Sequence, residues 1–551
     1  MRHKAKAGTM TGGMAIVEAL IANGVDTVFG LPGAQLYALF DALQQRGDQI
    51  RTVGARHEQA CGYMAFGYAR STGRPGVFAV VPGPGILNTS AALCTAHGCC
   101  APVLLITGQV PTAFLGRGRG HLHELPDQLA TLRSLTKWAA RIERPADAPE
   151  ILNEAFRQML SGRPGAVAVE MAWDTMASSA HVEPLGGAAI PEATAPSPLE
   201  VEAAAKLLAA ARRPMIMTGS GAQHASDAVR ALAEELDAPV ASFRGGRGIV
   251  PEDHELGISS YTAFKLWPQT DALVGIGSRV ETPYMRWTGM MSLVDRPQDA
   301  GIVADADAGT RALLSAVRRL RGGRGAAKSA PKGASEARSR IAAAKAEARA
   351  TIEKVQPQLA YLDVIRKVLP REGLLVIEVS QVGFTSYFGY PVYAPRTYVS
   401  EGFQGTLGFG FPTALGVKVA HPDKPVVSVT GDGGFLFAVQ ELATAAQYGI
   451  ALVTLLFNNA SFGNVLRDQR TAFGNRVIGS VLDNPDFLLL AKAFGVEGHR
   501  VTSPAALERV LAKVIHAEKP VLIEIEVPQG NEVSPWEFIH PGNPQAHLNR
   551  K

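Results

Sequence analysis

Cysteine is scarce in this chain: four among 551 residues, at Cys61, Cys94, Cys99 and Cys100. So few thiols exclude a disulfide framework as the source of stability. Three of them cluster with His97 in the run SAALCTAHGCC, which raises zinc. No second metal-spaced pair accompanies them, so the run reads as a small-residue helix and its end, with buried, reduced thiols. An excess of charge of one sign is also missing. Lys and Arg number 54 against 50 Asp and Glu, and no dense basic block occurs. That argues against nucleic acid or an anionic membrane as a partner. No apolar run is long enough to cross a bilayer, and the stretch from Met14 to Val25 is broken by Glu18 and Asn23, unlike a secretory signal. The expectation is a cytoplasmic protein.

What is present is alternation. A chain of this length needs several cores. Strand-like and helix-like segments alternate in three blocks, at 9–175, 198–320 and 356–530, which predicts an α/β protein of three doubly wound parallel-sheet domains. Thr11 is placed to cap a first helix that ends at Gly24. Strands are expected at 26–29, 77–81, 103–107 and 166–170 in the first block, and at 214–218, 272–276 and 302–304 in the second. A Pro/Ala/Gly-rich linker spans 178–198 and a basic Gly-rich one 321–335. The segment 336–355, heavy in Ala, Lys, Arg and Glu, reads as a solvated helix.

The most informative stretch starts at Val426. A buried strand, 426–430, ends in Gly431-Asp432-Gly433-Gly434; a helix follows, and a second apolar strand ends in Asn458-Asn459. A right-handed crossover makes the strands parallel and brings both ends to one sheet edge, where α/β ligands bind. Carboxylate, amide and carbonyl oxygens there suit Mg²⁺, which shares its octahedron with phosphate oxygens. The glycines allow backbone to approach those oxygens. With 57 glycines in the chain, the GDG triplet alone reads as a turn; the following Asn pair makes it specific.

The segment from Gly431 to Asn459 resembles the thiamine diphosphate (ThDP) motif of the acetolactate synthase/pyruvate oxidase-like enzymes. The resemblance extends to Phe29-Gly30-Leu31-Pro32-Gly33-Ala34-Gln35, to Arg56-His57-Glu58, to Pro82-Gly83-Pro84-Gly85 and to SEGFQGTLGFG from Ser400. It implies an N-terminal pyrimidine-binding, a central and a C-terminal diphosphate-binding domain. Asp432, Asn459 and the Ser461 carbonyl are then Mg²⁺ ligands, with Gly33, Gln381, Gly405, Leu407, Gly431, Gly433 and Gly434 at the cofactor. Glu58 matches the carboxylate that activates the aminopyrimidine ring. By its position alone it reads as a first-turn helix acid; the third-domain motif makes it the activating carboxylate that the resemblance implies.

The substrate is open. The resemblance implies a 2-oxo acid decarboxylase/carboligase acting on a small molecule as a homodimer or homotetramer. Departures from the synthases point elsewhere. Gln35 stands in a run closer to benzaldehyde-lyase-like relatives, Val382 replaces a histidine, and Gly277-Ser278-Arg279-Val280-Glu281 replaces flavin-binding stretches, so FAD is not expected. Gly219-Ser220-Gly221 does not complete a dinucleotide fingerprint, since His224 stands at the third glycine. A lyase of 2-hydroxy ketones or of 2-hydroxyacyl-CoA, and a ThDP-binding relative without activity, are the alternatives. His123 falls where the synthases carry a glutamine. It is either a proton-transferring residue, since imidazole exchanges protons near neutral pH, or a surface loop histidine.

Overall fold

In a computed structural model the described residues are 7–280, 287, 299–322 and 332–541. Glu281 and most of the second linker lie outside them.

The first block forms a six-stranded parallel sheet: β1 (Gly8–Thr11) stands apart, and β2 (Thr27–Gly30), β3 (Arg51–Gly54), β4 (Gly76–Val80), β5 (Val103–Gln109), β6 (Trp138–Ile142) and β7 (Val167–Ala172) lie in the order β3-β2-β4-β5-β7-β6. β8 (Ser179–Val182) pairs antiparallel with β1. The central block is a four-stranded parallel sheet of β9 (Pro214–Thr218), β10 (Val240–Ser242), β11 (Gly257–Ile258) and β12 (Ala272–Ile276), ordered β11-β10-β9-β12. The third has β13 (Leu374–Ile377), β14 (Tyr398–Val399), β15 (Val426–Gly431), β16 (Val453–Asn458), β17 (Glu497–Val501) and β18 (Val521–Glu526), ordered β14-β13-β15-β16-β18-β17. Taken in chain order, the first and third sheets have the same topology.

The inner strands, such as β4, β5, β15 and β16, are largely apolar because both of their faces are covered. In β4, Val77 and Ala79 enter one core while Phe78 and Val80 enter another. That second core also holds Leu374, Val376 and Val426 of the third sheet, so the first and third domains share one interior. At its centre helix 58–72 lies against helix 410–420. A Cβ on Gly67 would come 2.2 Å from the Thr413 carbonyl oxygen, and one on Gly416 2.0 Å from that of Met64. Phe66 and Phe409 meet edge to face at 5.5 Å, both fully buried. Each ring contributes about 1.5–3 kcal/mol by leaving water.

Several expectations change. Residues 302–304 run as an irregular segment, not a strand. Helix 332–352 is not simply solvated: Ile341, Ala344, Ala348 and Ile352 are buried, and Lys345 Nζ donates to the carbonyls of Glu252 and His254. The four cysteines are free; Cys61 is buried, whereas Cys94, Cys99 and Cys100 are only partly so. Thr11 caps its helix, accepting from Met14 N at 3.1 Å, but the helix spans 12–22 and Asn23 closes it, with Gly24 following at φ +78°. Among the described residues no helix is long and apolar enough to cross a membrane.

Candidate active site

β15 and β16 are neighbours in parallel register, with Gly431 opposite Phe457. Their carboxyl ends therefore deliver Asp432 and Asn458-Asn459 to one place. Ala460 turns the chain at φ +51°, which folds Ser461 back on the strand ends. Its backbone N lies 3.3 Å from Asp432 Oδ2 and 3.1 Å from Asn459 Oδ1, and its hydroxyl donates to that amide oxygen at 2.9 Å. Asp432 is 2% exposed. Burial pushes its carboxyl up, against hydrogen bonds from Asn484 and from the Gly433 and Ser461 N–H groups. Asn484 Nδ2 donates to Asp432 Oδ2 at 2.8 Å and to Asn458 Oδ1 at 3.0 Å. Two hard oxygens converging at this partly buried strand edge fit a small divalent cation with open positions for phosphate oxygens.

The strand order reverses between β13 and β15, which places a crevice at their carboxyl ends. Glu378 follows β13 there, 1% exposed. It accepts from Phe409 N at 3.0 Å and from the Thr430 hydroxyl, and burial pushes its carboxyl up to about 7. A Cβ on Gly434 would come 2.8 Å from the Glu378 carboxyl carbon. The last glycine of the GDGG run is thus required by the protein's own carboxylate. Ser380 caps helix 381–389, accepting from Gly383 N at 3.0 Å. Gln381 opens that helix, 4% exposed, and accepts from Arg467. Val382 is buried in the core and itself offers no side-chain donor.

The tail returns to this edge. Glu532 Oε2 accepts from Asn459 Nδ2 at 2.6 Å, and burial pushes its carboxyl up. Trp536 Nε1 donates to Asn464 Oδ1, and Phe538 is 2% exposed. Gly405, at φ +61°, and the half-buried Leu407 lie on the loop entering helix 410–420.

Glu58 is the first residue of helix 58–72, and its Oε2 accepts from Asn88 Nδ2 at 3.0 Å. The preceding Arg56 N donates to both oxygens of Glu441, at 3.0 and 3.1 Å, so a third-domain acid holds the segment that presents Glu58. Burial pushes Glu441 up to about 7. Gly33, in extended backbone, borders Val81, and Gln35 is fully buried. His123 is half-buried on the loop after β5 with its Nδ1 2.9 Å from Gln35 Oε1, not a free surface histidine. Among the described residues no hydrogen bond joins Glu58 or His123 to the Asp432 cluster. In the central domain, Gly219 lies against the Gly277 carbonyl, which accounts for the glycine by packing.

Sequence reading misses Glu378, Glu441, Asn484, Glu532 and Asn88. A carboxylate ending the apolar run LLVIE is the one available signal, for Glu378; the others depend on contacts far apart in the chain.

Comparison with known proteins matches these same blocks. The thiamine pyrophosphate enzyme N-terminal TPP binding domain matches residues 10–131, the central domain 201–311 and the C-terminal TPP binding domain 378–525. The chain is 35% identical over 538 residues to a probable 2-ketoarginine decarboxylase of Pseudomonas aeruginosa, covering 94% of each chain. It is 32% identical over 560 residues to the acetolactate synthase isozyme 2 large subunit of Escherichia coli (strain K12), covering 98% of this chain and 100% of the other. A probable acetolactate synthase large subunit of Methanocaldococcus jannaschii is 31% identical over 557 residues, with 94% and 92% covered. With its two like-folded sheets flanking a smaller one and the acid–amide cluster at the carboxyl edge of the third, the chain belongs to the thiamine diphosphate-dependent, acetolactate synthase-like enzyme family.

Proposed function

We propose that this protein is a ThDP- and Mg²⁺-dependent 2-oxo acid decarboxylase/carboligase. The observation that carries the reading is the convergence of Asp432 Oδ2 and Asn459 Oδ1 on Ser461 at the carboxyl edge of β15 and β16. Asp432, Asn459 and the Ser461 carbonyl hold Mg²⁺, and Gln381, Gly431, Gly433 and Gly434 line the diphosphate. The domain at 356–530 takes that half of the cofactor, the domain at 9–175 takes the pyrimidine, with Gly33, Gly405 and Leu407 beside it, and 198–320 is the central domain.

Bound ThDP supplies a nucleophilic carbon and an electron sink for breaking or forming the bond beside a carbonyl. Glu58, held by Asn88, would be the carboxyl that takes up or gives back a proton beside the bound cofactor. His123 moves a proton to or from the substrate. The buried surroundings of Glu378 and Asp432 exclude water from the charged groups.

The active unit in this reading is a homodimer or homotetramer in which the Glu58 half of one chain meets the Asp432 half of another. Leu87 and Leu122, near Glu58 and His123, and Phe403 and Phe437, near the cofactor loop, are about half exposed in the single chain, which supports a covering partner. A cytoplasmic setting accords with four unpaired cysteines.

Product analysis tests the reading. The protein reconstituted with ThDP and Mg²⁺ is offered pyruvate, benzoylformate, 5-guanidino-2-oxopentanoate, 2-hydroxy ketones and 2-hydroxyacyl-CoA, and products are identified by NMR. Release of CO₂ from a 2-oxo acid is expected. Cleavage of a hydroxy ketone or hydroxyacyl-CoA alone would establish the lyase instead, and silence on every donor a non-catalytic relative.

A further inference from the structure

His123 and Gln35 are far apart in sequence, and each departs from the synthases. The fold makes them one unit. Gln35 sits in the turn after β2 with its side chain fully buried, and its backbone packs against Gly108 near the end of β5. From there its amide reaches the loop after β5 at two points. Nε2 donates to the Leu122 carbonyl at 3.0 Å, and Oε1 lies 2.9 Å from His123 Nδ1.

The first contact determines the second. A backbone carbonyl only accepts, so the end of the amide facing Leu122 must be the NH₂ group. The end facing His123 is then the carbonyl oxygen, which also only accepts. The imidazole nitrogen opposite it must carry a hydrogen. A neutral His123 is therefore the Nδ1–H tautomer, and its free lone pair is on Nε2. Among the described residues no group bonds Nε2. The neighbouring His121 differs: its ring packs at a tilt against Phe114, centroids 4.7 Å apart, and its buried Nδ1 has no hydrogen-bond partner among the described residues.

The backbone of His123 also runs beside the turn that leads to Glu58. The His123 carbonyl lies against Gly83, 2.4 Å from where a Cβ on that residue would stand, and a Cβ on Gly85 would be 3.7 Å from Glu58 Cγ. His123 takes φ +65°, an uncommon backbone for a non-glycine residue, so its direction is set by its surroundings. The charged and titratable groups of the loop are Arg117, Arg119, His121, Glu124 and Asp127, and Glu58 stands at the start of helix 58–72. Glu124 accepts from the N–H groups of Gly118 and His121.

We propose that Gln35 is a positioning residue that fixes the tautomer of His123, so that Nε2 is the atom that takes and returns a proton at the active-site mouth. The assignment deepens the role given to His123 under the proposed function and rests on that reading for its catalytic meaning. The tautomer itself does not depend on it.

The test separates the two. Protein labelled with ¹⁵N-histidine is examined by two-bond ¹H–¹⁵N NMR at a pH where imidazole is neutral, and the His123 signals are assigned by their loss in His123→Gln. The wild type should show the Nδ1–H pattern. Gln35→Met, which keeps volume and loses both polar contacts, should revert to the Nε2–H form commoner in water. An Nε2–H ring in the wild type, or an unchanged ring in a folded Gln35→Met protein, would overturn the proposal. With a substrate identified, Gln35→Met should lower kcat at least tenfold while ThDP affinity stays within twofold. Absence of any substrate would sink the functional reading and leave the NMR result standing.

Discussion

At the residue scale, few side chains make up the proposed cation site. Asn459 has its amide pinned at both ends, by Ser461 at Oδ1 and by Glu532 at Nδ2, so its oxygen is already aimed. Partners of this kind commonly alter metal affinity about 10–100-fold when removed. Glu532→Ala should therefore raise the Mg²⁺ concentration that half-saturates ThDP binding by about that factor, and Asp432→Ala by more. Titration calorimetry of the apo protein checks both. Asp432 and Asn459 are legible in the sequence because each ends a strand and the crossover rule brings strand ends together. Glu532 is not legible: it lies in an irregular tail, and only folding returns it to β16. Glu58 is legible by its motif, whereas Asn88, which holds it, is an ordinary polar residue on the next helix.

At the scale of elements, the sheets were readable from apolar runs bounded by glycines, and their limits shift by a residue or two. Residues 302–304 fail as a strand although Ile and Val favour one, because β propensity expresses burial on a sheet and, among the described residues, none pairs with this segment. Helix 332–352 shows the converse, since its buried Ile and Ala positions are diluted by Lys and Arg on the remaining faces. Helices 58–72 and 410–420 meet backbone to backbone across the two domains. Gly67→Ala should force them apart and destabilise the protein by about 1–3 kcal/mol, the usual range for overpacking. A shifted denaturant midpoint with an unchanged slope is the expected sign. Deleting the tail from Glu532 onward should remove the Asn459 contact and the buried Phe538 ring together. Both weaker ThDP retention and a stability loss of about 3–5 kcal/mol are expected, read by calorimetry and by denaturation.

At the scale of the whole molecule, the shared core of the first and third domains makes the carboxylates at their junction part of overall stability. Glu441 is fully buried and raised from its ordinary 4.5 to about 7. Its contribution is present in full below pH 4.5 and is lost as the pH rises to about 7, where ionising the buried group opposes folding. The stability of the wild type relative to Glu441→Gln should therefore fall across that window, by about 3 kcal/mol at most. Thermal melts of both proteins at pH 4.5 to 7.5 measure it, and parallel pH profiles would remove Glu441 as the cause. The like topology of the two outer sheets is visible in sequence only as similar block length. Their strand order depends on long-range pairing that no local signal encodes.

The central claim is that Glu58 activates a cofactor anchored by Asp432 and Asn459. The most direct measurement is the exchange of the C2 proton of bound ThDP in D₂O, followed by acid quench and NMR, which needs no substrate. The wild type with Mg²⁺ should exchange faster than free ThDP by about 10²-fold or more, and Glu58→Gln should bind ThDP yet lose that acceleration. Equal exchange in the wild type and in Glu58→Gln would contradict the account.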